Sequence, residues 1–203
     1  MAESAIAVGA PAKAAGGAIE RAINFLGFQV TWFSSVLGAA KGIPSLGVWV
    51  GASFVLLHVF RHAHPSREAT LVASVALVGL CVDSVLGFFD FFRFPPGHSI
   101  IGLCPPWLVA IWAAFATTLG SSLGWLRGRP MVAALVGAVA GPVAYFGGAR
   151  LGAIALDRDP LLTAGVLAVT WAVVTPALVA LAARWGSATP DARDVRRTRE
   201  GSR

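Results

Sequence analysis

The chain has 203 residues, 56% of them hydrophobic and only 13% charged, with a mean hydropathy of +0.72. A soluble domain carries about 25% charged residues because its surface must face water, so these proportions exclude an ordinary soluble globule. The net charge of +6 does not point to nucleic acid: six of the sixteen basic residues lie in 184–203, and the others sit singly or in pairs at the ends of apolar runs. That distribution belongs to membrane topology, not to a stripe tracking phosphates.

Residues 1–21 are rich in Ala and Gly, carry Glu3 near the start, and lack the basic and apolar regions of a secretory signal. They read as a mobile cytoplasmic extension, or as a helix lying on the membrane surface. Six apolar spans follow, at about 22–40, 45–61, 68–89, 104–126, 130–148 and 160–183, each bounded by Pro, Gly or charge. Each is long enough to cross a hydrocarbon core about 30 Å thick at 1.5 Å per residue. The apolar runs are continuous rather than alternating, which predicts helices and not barrel strands. The expected fold is therefore an all-α polytopic membrane bundle of about six transmembrane helices over 22–183. A basic cytoplasmic tail, 184–203, follows it.

Charge sets the orientation. Twelve basic residues fall on the side of the two termini, the second loop (Arg61, Arg67) and the fourth loop (Arg127, Arg129), against four on the other side: Lys41, Arg93, Arg150 and Arg158. The positive-inside rule then places both termini in the cytoplasm. Trp49 and Trp107 fall at outer span ends and Trp125 and Trp185 at inner ends, as interfacial indoles would. Trp32, Trp112 and Trp171 lie deeper, between helices. Cys81 and Cys104 read as buried, unreactive thiols.

The two halves of the chain carry a shared pattern. Leu37-Gly38-Ala39-Ala40-Lys41-Gly42-Ile43-Pro44 reads LGxxKGxP, and 86 residues later Leu123 to Pro130 reads LGxxRGxP; over 37–52 there are seven identities in sixteen. With three spans in each half, a true duplication would be a three-plus-three inverted repeat about an axis in the membrane plane. The other reading is shared punctuation, since Gly at a helix end followed by Pro is a common stop and start.

Asp83 is the leading candidate for chemistry. It lies about four turns into the third span, where a carboxylate needs a partner, a wet cavity or a bound proton. Arg150, at the end of the fifth span, is the expected partner, either in a binding site between helices or in a structural ion pair. His58, His62 and His64 form an HxxxHxH string whose first two members share a helix face; they are weak metal candidates with only Glu68 nearby, and headgroup contact is the better reading. Polar residues in span one (Asn24, Gln29, Thr31, Ser34, Ser35) and span four (Thr117, Thr118, Ser121, Ser122) suggest bonds across helices, and a polar cavity between those spans is the minority reading. Pro105-Pro106, Pro142 and Pro176 are candidate break points. There is no nucleophile elbow, P-loop, HExxH or paired-carboxylate motif, so the sequence leans away from catalysis and asks for no cofactor.

The segments INFLGFQVTWFSSVLGAA, VDSVLGFFDFF, PPWLVAIWAAFATTL and GPVAYFGGARLGA resemble those of a bacterial membrane family known as domain of unknown function 2878, over roughly 22–183. The resemblance implies an inner-membrane location and points towards fatty-acyl or phospholipid chemistry, without an established activity. Asn24, Gln29, Trp32, Asp83, Pro106, Trp107, Thr117 and Arg150 fall within its recognisable segments. Of these, Asp83, Arg150, Asn24, Gln29, Trp107 and Thr117 are the expected binding residues. Three functions fit: a lipid-linked or transporter-like protein with a site near Asp83 and Arg150, a non-catalytic accessory subunit of a larger membrane complex, and a lipid-modifying membrane enzyme. The expected partners are membrane lipids and a membrane protein or second copy, with no nucleic acid.

Overall fold

The computed structural model describes residues 9–99 and 102–186. Six helices run in chain order: α1 (Gly9–Ala40), α2 (Ser45–Arg61), α3 (Pro65–Phe88), α4 (Pro106–Gly120), α5 (Pro130–Arg150) and α6 (Pro160–Gly186), with a 3-10 turn at Gly124–Leu126 before α5. The all-helical class follows the continuous apolar runs of the sequence. Three helices, α3, α5 and α6, are long and apolar enough to cross a bilayer; α2 and α4, with 17 and 15 residues, are shorter apolar helices. Residues 1–8 of the expected extension (1–21) and 187–203 of the tail lie outside the described residues.

Two boundaries differ from the sequence reading. α1 begins at Gly9 instead of about residue 22, because the Ala-rich stretch has high helix propensity and its Pro11 sits in the first turn, where proline is tolerated. The fourth span is a 15-residue helix followed by a turn, not a helix to residue 126. Ser121 leaves helical geometry at φ −116° and ψ −98°, and the side chain of Ser122 is drawn into a bond with Asn24 of α1. Pro142 and Pro176 lie inside continuous helices and break neither.

α4 is the hub, packing against α1, α2, α3 and α6, while α1 also packs along α2 and α5 packs along α6. Neither α1 with α5 nor α4 with α5 is a closely packed pair. The two halves therefore pack differently: α1 lies along α2, but α4, its counterpart at the 86-residue offset, does not lie along α5. What the LGxx(K/R)GxP segments share is local. Gly42 and Gly128 take left-handed φ of +75° and +74°, conformations that favour glycine, and a proline then opens the next helix at Pro44 and Pro130.

Close packing depends on glycines facing aromatics. A Cβ at Gly79 of α3 would overlap the Trp112 ring of α4, and one at Gly141 of α5 would overlap Trp171 of α6. Trp107 is 2% exposed and packs against Phe94, so its ring is buried in the bundle and does not face outward. Trp49 and Trp125 do face outward. Cys104 is buried, Cys81 is exposed, and both are free thiols, so the expectation of two buried thiols holds for Cys104 alone.

At one end of the bundle, here called the upper end, the α3–α4 and α5–α6 connections are pinned together. Arg93 and Ala155 exchange backbone hydrogen bonds of 2.8 and 2.9 Å, Arg93 pairs with Asp157 at 2.6 Å, and Arg158 Nε donates to the Phe89 carbonyl at 2.8 Å. Asp159 then caps α6, its Oδ1 accepting from the N–H groups of Leu161 and Leu162.

Gly79→Ala is expected to destabilise the protein by about 1–3 kcal/mol, the usual cost of overpacking a filled core. Gly165→Ala, where an added Cβ meets nothing within 4 Å, is expected to be neutral or slightly stabilising. Thermal unfolding of the two variants in detergent, followed by tryptophan fluorescence, separates the cases; equal midpoints would refute the glycine–indole contact.

Candidate functional site: a groove between α1 and α5

Asp83 is fully buried on α3. Its Oδ2 accepts a hydrogen bond from Trp112 Nε1 at 2.7 Å, and its Oδ1 accepts one from the Tyr145 hydroxyl. An acid within an apolar bundle must have donors for its oxygens, and one from α4 and one from α5 supply them. The expected Asp83–Arg150 ion pair is not among the ion pairs of the described residues, and Arg150 is exposed. The physical reason is that a hydroxyl and an indole already occupy both carboxylate oxygens in the protein interior, whereas Arg150 lies exposed in the last turn of α5.

On the other side of Trp112 and Tyr145 lies a cavity of about 640 Å³, within the size range of small-molecule sites. α1 forms one wall through Phe25 to Val36, α5 forms the other through Val136 to Leu151, and α4 closes the back. Trp171 of α6, stacked on Trp112 at 4.8 Å with the rings 12° apart, completes the deepest part. Phe25 and Phe33 on the α1 rim and Val143 on the α5 rim are all about half exposed or more. The groove thus opens sideways, between two helices that do not pack together.

Its lining is apolar and aromatic, and Arg150 is its one charged side chain among the described residues. Three residues of its lining carry a buried polar atom with no hydrogen-bond partner among the described residues: Trp107 and Trp171 through their indole Nε1, and Thr175 through its hydroxyl.

The structure sorts the residues singled out in the sequence. Gln29, Trp107 and Arg150 line the groove, and Asp83 lies directly behind its wall. Asn24 and Thr117 do not line it. Instead the Asn24 amide donates to Thr117 Oγ1 at 3.1 Å and to the Thr117 carbonyl at 3.3 Å, while Asn24 Oδ1 accepts from the Ser122 hydroxyl at 2.8 Å. This clasp ties α1 to the lower end of α4. The histidines make no metal site: among the described residues no group of three or more His, Cys, Asp or Glu could hold an ion. His58 Nε2 lies 3.0 Å and His62 Nε2 3.6 Å from the buried Glu68 carboxylate, so these rings face an acid at the α2–α3 turn. The backbone N–H of His64 donates to His62 Nδ1.

The sequence reading missed Tyr145, Trp171 and Thr175. Tyr145 carried a signal, being the one tyrosine of the chain, set in a helix of small and aliphatic residues with Asp83 as an unpartnered acid elsewhere.

Fold and site together define a helical bundle of membrane-crossing proportions, with a side-opening aromatic groove backed by a buried acid. The chain belongs to the family described as protein of unknown function (DUF2878), whose model matches residues 21–177. No curated protein and no solved structure matches it.

Removing the hydroxyl in Tyr145→Phe leaves one Asp83 oxygen without a donor, and is expected to cost about 1–3 kcal/mol of stability. The midpoint of thermal unfolding in detergent measures it; a wild-type midpoint would mean that Asp83 does not depend on that bond.

Proposed function

We propose that this is a multi-pass protein of the bacterial inner membrane that takes a hydrocarbon-chain ligand from the bilayer into the groove between α1 and α5, as a lipid-handling or transporter-like protein. The observation that carries the reading is a cavity of about 640 Å³ walled almost wholly by apolar and aromatic side chains and open on its flank. A hole of that kind in water would be a costly exposed patch. In a bilayer its opening faces acyl chains, and a chain entering it trades lipid contacts for closer protein contacts. The polar residues needed to choose one amphiphile over another, Arg150, Trp107 and Thr175, line the same groove.

The topology that goes with this reading sets the upper end outside and both termini in the cytoplasm. It is supported by the twelve-to-four division of basic residues between the two sides. A phosphatase reporter fused after Gly97 is expected to be active and one fused after Gly128 inactive, and the reverse pattern would invert the orientation.

Ala140 lines the groove and is exposed, so Ala140→Trp fills the space without disturbing the core. Native mass spectrometry of the purified protein is expected to show bound lipid on the wild type, reduced roughly tenfold in the variant. The same lipid complement on both, with unchanged thermal stability, would end the groove reading.

A further inference from the structure

The polar atoms at the upper end of the groove say what the ligand's head should be, an inference that rests on the reading of the groove as a hydrocarbon site. Trp107 opens α4 and Arg150 closes α5. Both belong to the upper end, where Arg93 and Ala155 are bonded and the Phe94 ring meets Trp107. Trp107 is 2% exposed, lines the cavity, and its Nε1 has no partner among the described residues. An indole N–H can only donate, so whatever completes this site must bring an acceptor.

Arg150 adds a permanent positive charge on the same rim, with no carboxylate paired to it among the described residues. The lining holds no acid to oppose an anion there. Asp83, behind the wall, has both oxygens turned onto Trp112 and Tyr145, and the acids of the upper connections, Asp90 and Asp157, lie against Arg93. From Arg150 down to Val136 the α5 wall runs about 21 Å at 1.5 Å per residue, more than the ~15 Å depth of one leaflet's hydrocarbon. A complete acyl chain therefore fits below the head.

We propose that the groove binds an anionic acyl lipid, its long chain lying between α1 and α5, its carbonyl or carboxylate oxygen accepting from Trp107 Nε1 and its negative charge held by Arg150. A free fatty carboxylate and an anionic phospholipid share this chemistry. No bond is made or broken; the site recognises and holds.

The test uses the full chain in a neutral detergent, with binding followed by native mass spectrometry. The probes are hexadecanoate, palmitoyl-lysophosphatidylglycerol, its net-neutral counterpart palmitoyl-lysophosphatidylcholine, and hexadecanol. At least one anionic probe is expected to bind roughly tenfold more tightly than the two neutral ones. Retention of hexadecanoate alone, or of the lysophospholipid alone, identifies which source the site takes. Arg150→Gln should abolish the preference and Arg150→Lys should restore most of it, which a general loss of folding would not do. Trp107→Phe should weaken the carbonyl-bearing probes about fivefold.

Equal binding of charged and neutral probes by the wild type, or an unchanged preference in Arg150→Gln, overturns the headgroup assignment. The groove reading survives that result as long as Ala140→Trp still expels every probe. Binding of no probe by the wild type overturns both.

Discussion

The carboxyl group of Asp83 is the constraint on which the rest of the bundle turns. It lies fully buried on α3 and takes its two donors from two other helices, Trp112 of α4 and Tyr145 of α5. α3 and α5 are not a closely packed pair, so the Tyr145 hydroxyl bridges helices whose backbones stand apart. An acid at this position is costly unless both oxygens are occupied. That requirement fixes the height and rotation of α4 and α5 relative to α3. Trp112 can reach the acid because Gly79 leaves room for its ring on α3. Its other face stacks on Trp171, which in turn needs Gly141 on α5. Two glycines and two stacked indoles thus set the spacing of α3, α4, α6 and α5 around one carboxylate.

The groove follows from how the remaining contacts divide. α1 is drawn to α4 by the Asn24–Thr117–Ser122 clasp, and to α2 by Gly47, whose missing side chain lets the backbone of Ser35 approach. α5 is drawn to α6 by Gly137 and Gly141, where a Cβ would overlap Thr175 and Trp171. Each pair closes on itself, and neither set of small residues faces the other across the gap. In membranes helices associate where small residues let backbones come close, so the absence of such a face between α1 and α5 leaves a space that bulky side chains line but do not fill.

Much of this was legible in the sequence, and the reasons for the limits are physical. Hydropathy and helix punctuation located all six helices, since a continuous apolar run bounded by Pro, Gly or charge has few other readings. They missed the start of α1, because Ala-rich polar-poor sequence forms helix without being a span, and the early end of α4, because Gly120-Ser121-Ser122 breaks a helix only when something such as Asn24 recruits the hydroxyl. Asp83 stood out by its cost in an apolar run. Its partner did not, because charge reasoning pairs acid with base, whereas here a phenol and an indole do the work that Arg150 was expected to do. Asn24, Thr117 and Ser122 were read as polar residues that bond across helices, and they do; which of them pair was not legible, because hydropathy does not say which helix faces meet. The histidine string was noticed for its spacing; that spacing serves to place two rings on Glu68.

Placing the acid behind the wall also explains why the groove is stiff and electrically open at one end. A carboxylate turned into the cavity would repel an anionic head and would demand a cation or a proton of its own. Turned away, it fastens Trp112 and Tyr145 by their polar atoms and leaves their ring surfaces to form the wall. Tyr145 is further held against Phe92, at 5.2 Å between ring centroids, and Phe92 against Phe94, at 5.4 Å, which leads to Trp107 at the upper rim. On the proposed reading, the rings that would meet a ligand chain are held by these contacts in advance, which lowers the ordering cost of binding. The same row of aromatics runs from the buried acid to Trp107, whose buried indole N–H has no partner among the described residues, so one network both builds the bundle and shapes the groove.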